Sequence, residues 1–171
     1  MGAMTGSEAA ASAAAEAADM SDDGASRAPD RLRLRASRLL SQLSTRSDRL
    51  ITEGLAGADA RKWHYAVLAS LQDHGPASQA TLSRRTGIYR SDMVGVLNEL
   101  AERKLVERAP DPADQRRNII TISPQGRRHL RRLDQVLDEL HDELLAPLSP
   151  AERDRFVELL TRLLDHHSRN A

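Results

Sequence analysis

The stretch from Leu105 to Gly126, LVERAPDPADQRRNIITISPQG, decides the fold. Two β-prone runs, Leu105 to Arg108 and Asn118 to Ile122, flank a turn rich in Pro110, Asp111, Pro112 and Asp114, with Arg116 and Arg117 just beyond it. Alternating strands around a Pro/Asp turn read as a β-hairpin, here with a cationic tip.

Upstream of the hairpin, Ser78 can cap a short helix from Gln79 to Arg85, and Gly87 supplies a tight turn into a second helix over about Ser91 to Lys104. Met93, Val96, Leu97 and Leu100 recur at helical spacing and form its buried stripe, while Arg90, Ser91, Asp92, Gly95 and Asn98 share the other face. Two helices joined through a glycine turn are a helix-turn-helix. The fold class expected is therefore mainly α with a small β-hairpin wing: a winged helix-turn-helix in a six-helix subunit that forms a two-fold homodimer.

The remaining helices are read from the same periodicity. Leu32, Leu39, Leu40, Leu43, Leu50, Ile51 and Leu55 predict a long amphipathic helix from Arg31, with Gly54 and Gly57 loosening its end. Asp59 is the expected cap of a following helix, Ala60 to Asp73, which Gly75-Pro76 breaks. After the hairpin, Ser123-Pro124 opens a helix through about Leu145, and Ser149-Pro150-Ala151-Glu152 opens the last one. The apolar seams of the first and last two helices exceed what one small lobe can cover, so pairing with a second copy is expected. The domain organisation expected is a flexible Ala- and acid-rich tail over 1–30, a dimerisation helix over 31–57, a DNA-binding lobe over 58–123 and dimerisation helices over 124–171.

Composition narrows the function. The chain has 171 residues, enough for one domain, and no cysteine, which excludes disulfides, thiolate nucleophiles and thiolate zinc sites. No apolar run is long enough to span a membrane and the N-terminal stretch is acidic rather than basic, so a cytoplasmic protein is expected. Overall charge is zero, but it runs −5 over residues 1–30, +4 over 31–83, +6 over 84–132 and −5 over 133–171. The excess of cations thus falls where phosphate contact is expected. No Gly-rich phosphate loop or nucleophile motif is present, which argues against an enzyme and against a cofactor. His166-His167 is the one adjacent histidine pair, but neighbours on a helix point about 100° apart, so no metal site is expected.

These residues resemble the multiple antibiotic resistance regulator (MarR) family of bacterial transcription factors, from about Leu32 to Leu164. The wing signature of that family, Asp, any residue, Arg, then an alternating strand and a Gly-containing helix start, is matched by Asp114-Gln115-Arg116, Asn118 to Ile122, Ser123 and Gly126, with Ile122-Ser123 in place of Leu-Thr. Gly75 to Gln79 and the Leu100 to Arg108 pattern are similar too. The resemblance implies a homodimer bound to an inverted-repeat operator, a repressor by default, and release of DNA by a small aromatic or anionic effector.

Chemistry assigns roles to the candidates. The exposed face of the second helix is the expected major-groove reader, with Asn98 and Ser91 toward base edges, Asp92 capping the helix start, and Gly95 permitting close approach. Arg84, Arg85 and Arg90 suit phosphates. Arg116 suits a narrow A·T-rich minor groove, oriented by Asp114, and Arg117 a phosphate. For an effector, Arg38, Trp63, His64 and Tyr65 are the candidate lining. The rival reading is a winged-helix module whose basic face meets an acidic protein.

Overall fold

The computed structural model describes Pro29, Arg31 and residues 34–111 and 114–169, and for residues 111 and 114–117 the backbone alone. The tail expected over 1–30, apart from Pro29, and Leu32 lie outside the described residues. Among the described residues the elements follow in the order α1 (Ala36–Gly57), α2 (Lys62–His74), β1 (Ala77–Ser78), α3 (Gln79–Thr86), α4 (Arg90–Glu102), β2 (Val106–Asp111), β3 (Asp114–Ile122), α5 (Pro124–Leu144) and α6 (Pro150–Ser168).

Contacts divide the chain after Ser47. In the first unit, a turn at Leu34 precedes the opening of α1, so that helix begins at Ala36 rather than at Arg31. Leu39, Leu40 and Leu43 on it are exposed.

The second unit, Asp48 onward, holds the core. Val67, Leu68 and Leu71 of α2 pack with Leu82 of α3, Met93, Val96, Leu97 and Leu100 of α4, Ile120 and Ile122 of β3 and Leu130 of α5. The expected stripe of α4 is thus wholly buried. Truncating a fully buried leucine such as Leu100 to alanine costs about 2–5 kcal/mol, so this stripe fixes which face of α4 looks outward. A smaller cluster joins Leu55, Ala58 and Ala60 to Leu133 and Leu137 of α5. Tyr65 packs against both.

Caps follow local chemistry. The Ser78 hydroxyl accepts from the Thr81 N–H at the start of α3, and Gly87 takes the left-handed conformation, φ 71°, that ends it. Ser149 and Glu152 form a capping box, with the Ser149 N–H donating to Glu152 Oε2 at 2.9 Å. At α2 the expected Asp59 cap is not found. Asp59 instead adopts φ 55° and pairs with Arg103 at 2.8 Å, and α2 begins three residues later, where His64 Nδ1 accepts the Arg61 N–H at 3.3 Å. Gly54 does not loosen α1: it lies within the helix, and the Leu140 side chain of α5 occupies the space a Cβ would need.

The sheet has the order β1-β3-β2 and is antiparallel throughout. The hairpin strands are longer than expected, because the ladder runs from Val106↔Ile122 to Asp111↔Asp114 with an irregularity at Pro110/Asp111. Pro110 lies on β2, an edge strand, and at the irregularity in the ladder, the two settings in which a sheet tolerates proline. The two strands thereby reach Asp111 and Asp114, and Arg116 and Arg117 belong to β3 rather than to the tip.

Candidate nucleic-acid interface

Helix α4 ends at Glu102, short of the expected Lys104, because Lys104 turns to φ 56° and the Leu105 N–H reaches back to the Leu100 carbonyl at 2.8 Å. From this turn the chain enters β2, and the far end of the hairpin is tied to the same point. The Ser123 N–H donates to the Leu105 carbonyl at 3.0 Å, its hydroxyl donates to the Lys104 carbonyl at 2.6 Å, and the same hydroxyl accepts the Gly126 N–H at 2.9 Å. Ser123 is buried, so these bonds are shielded from water. Gly126 is required here, since a Cβ would collide with the Leu105 carbonyl oxygen. One serine therefore joins the end of α4, both roots of the wing and the start of α5.

The outward face of α4 carries the expected residues. Arg90, Ser91, Asp92, Gly95 and Asn98 are all exposed, and nothing lies within 4 Å of the place a Gly95 Cβ would take. The Ser91 hydroxyl donates to Asp92 Oδ1 at 3.3 Å, and Asp92 places its charge in the first turn, where the helix dipole favours an anion. Arg84 and Arg85 are exposed on the last turn of α3, Arg84 donating to the Thr81 hydroxyl at 3.3 Å. For Asp114, Arg116 and Arg117 the backbone lies in β3, and their side chains lie outside the described residues.

Three exposed groups escaped the sequence reading. Tyr89 caps the entry of α4 at 78% exposure, and Val94 stands on its outer face, an apolar contact of the kind that meets a thymine methyl. Arg108 of β2 donates from Nη2 to Asn98 Oδ1 at 2.8 Å, linking wing and helix. Between them opens a polar recess of about 270 Å³, lined by Ser78, Gln79, Arg108 and Asn118 among others.

Behind α4 lies a cluster of charges. Glu99 accepts from His64 Nε2 at 3.0 Å and from the Arg61 guanidinium. Because His64 Nδ1 accepts the Arg61 N–H, the proton must sit on Nε2, and the ring is neutral. Burial, and then the Arg61 and Arg103 guanidiniums, push its pKa down to about 4. His129 of α5 is lowered in the same way by burial, Arg103 and Arg132.

The effector candidates face different ways. Trp63 is exposed, His64 is buried against Glu99, and Tyr65 is half-buried, its pKa raised first by burial and then by the hydrogen bond of its phenol to Asp134. Consecutive helical residues diverge by about 100°, which is why these three do not line one wall. Arg38 is half-buried in the first unit.

An exposed helix face beside a three-stranded wing defines a winged helix-turn-helix protein. The model of the MarR family matches residues 54–117. The HTH-type transcriptional repressor NicR of Pseudomonas putida is 30% identical over 101 residues, which are 59% of this chain and 64% of that protein. The chain thus spans just under two thirds of that relative's length. A probable transcriptional regulator from Pseudomonas aeruginosa superposes with a TM-score of 0.68 at 32% identity, over 77% of this chain and 98% of that one. BpsR of Bordetella bronchiseptica, in a structure described as a mechanism for regulation of its DNA binding by 6-hydroxynicotinic acid, gives 0.68 at 26% identity, over 81% and 99%. The likeness to the MarR family model thus covers residues 54–117, and the wider fold is shared with transcriptional regulators.

Proposed function

We propose that this protein is a DNA-binding transcriptional regulator, a repressor, that acts in the cytoplasm as a two-fold dimer on an inverted-repeat operator. The observation that carries the reading is the outward face of α4, polar at Arg90, Ser91, Asp92 and Asn98, apolar at Val94 and open at Gly95, held beside the wing. A helix of that profile enters the major groove, while the wing brings Arg116 toward the adjacent minor groove and Arg117, Arg84, Arg85 and Arg90 toward phosphates. Asp114 orients Arg116. Dimerisation through α1 and α6 covers their exposed leucines and sets half-sites about one helical turn apart. A small aromatic or anionic effector, favoured by the precedent of BpsR, releases DNA by preferring a dimer with displaced reading helices; because Trp63, His64 and Tyr65 face different ways, they do not form one binding wall for it.

The test is binding of the full chain to genomic fragments, with footprinting of the retained sites and a salt series on each. Paired footprints with steep salt dependence are expected, and Arg116→Ala should weaken binding and lower the salt slope by about one contact. Binding to acidic proteins in place of duplex DNA would establish the rival interaction module.

A further inference from the structure

We infer that Arg108 is a positioning residue for base reading: from the wing it holds the Asn98 carboxamide of α4 by its oxygen, and so fixes which atoms of Asn98 the groove meets. The inference rests on the DNA-binding function proposed above and adds to it a contact between the two reading elements.

Guanidinium carries donors and no acceptor, so the amide atom at 2.8 Å from Arg108 Nη2 has to be Oδ1. That settles the orientation of a group whose terminal torsion is otherwise broad and two-fold. Asn98 is exposed and Arg108 gives it a charge-assisted anchor; without that anchor the amide turns over and exchanges its donor for its acceptor. Arg108 is itself well placed to act as a fixed point. Its backbone is paired with Ile120 in the ladder, and its side chain borders the recess shared with Ser78, Gln79 and Asn118. With the oxygen held on the wing side, Asn98 presents its NH₂ first, together with the second oxygen lone pair. Such a group favours a purine edge with an N7 acceptor.

The experiment is selection of duplexes from a randomised pool by the full-length protein, repeated with Asn98→Ala, Arg108→Ala, Arg108→Lys and the double alanine variant. Asn98→Ala should flatten the preference at one base pair of each half-site. Arg108→Ala should flatten the same pair, by roughly five- to tenfold, and the double variant should be no worse there than Asn98→Ala alone. Arg108→Lys keeps the charge but not the planar fork, so affinity and salt slope should hold while the preference recovers only in part. An Arg108→Ala protein that binds every duplex more weakly by one factor, with its preferences intact, would make Arg108 a phosphate contact and overturn the inference alone. A wild-type protein that enriches no sequence overturns the proposed function and this inference with it.

Discussion

His64 of α2 donates its Nε2–H to the Glu99 carboxylate of α4 across 3.0 Å, so the helix proposed to read DNA is fastened from behind by a neutral imidazole. Protonating that ring requires a hydrogen on Nδ1, which would expel the Arg61 N–H it now accepts, and places a cation beside Arg61 and Arg103. The unfolded chain has no such penalty.

A pH dependence follows, with a definite sign. Folded His64 has a pKa of about 4 against 6.5 for the free side chain, so between these values the unfolded chain binds more protons. The stability held above pH 6.5 is lost as pH falls toward 4, by at most about 3 kcal/mol from this residue. Denaturant unfolding at several pH values should show a shallower acid decline in His64→Gln than in the wild type. Identical slopes would remove His64 from the acid response.

Gly95→Ala should separate folding from DNA binding. The position is helical and has open space around it, so alanine should add about 0.5–1 kcal/mol and raise the melting temperature by a few degrees. The same methyl stands on the face proposed to enter the groove, and affinity for duplex DNA should fall. A variant that gains stability with unchanged affinity would move the DNA away from Gly95.

Gly126→Ala should be far more damaging than Gly54→Ala. The Gly126 methyl meets the Leu105 backbone carbonyl, which cannot swing aside without breaking its bond to Ser123, and a loss of about 1–3 kcal/mol is expected. The Gly54 methyl meets the end of the Leu140 side chain, which can change rotamer, and helix propensity offsets part of the crowding. Chemical denaturation midpoints rank the two directly.

Leu163→Glu should convert a dimer to a monomer. Leu163 is 49% exposed on α6, a helix with no buried residue among those described, and a carboxylate there opposes any apolar pairing surface. Sedimentation equilibrium should give twice the chain mass for the wild type and the single mass for the variant, with helical content unchanged. A variant of undiminished mass would place the dimer contact elsewhere.

The helices were legible wherever apolar spacing coincided with a start signal. Ser78, Ser123-Pro124 and Ser149-Pro150 each begin a helix as read, because their caps are local chemistry. Strand β1 escaped notice because it is two residues long and its partners, Ile119 and Ile120, are far along the chain. Asp59 misled for a related reason: its carboxylate finds Arg103, a distant partner, in preference to the nearby helix end. Within the interface, Asn98 could be chosen from its face of α4. Arg108 could not, since nothing in Leu-Val-Glu-Arg tells that its guanidinium reaches back ten residues to an amide.

The knot around Ser123 has a mechanical consequence. With the hydroxyl bonded at once to Lys104 and Gly126, a tilt of α5 is passed directly to the root of the wing and the end of α4. In the dimer proposed above, control would then work on the span between the two winged lobes, and the lobes themselves need not change shape.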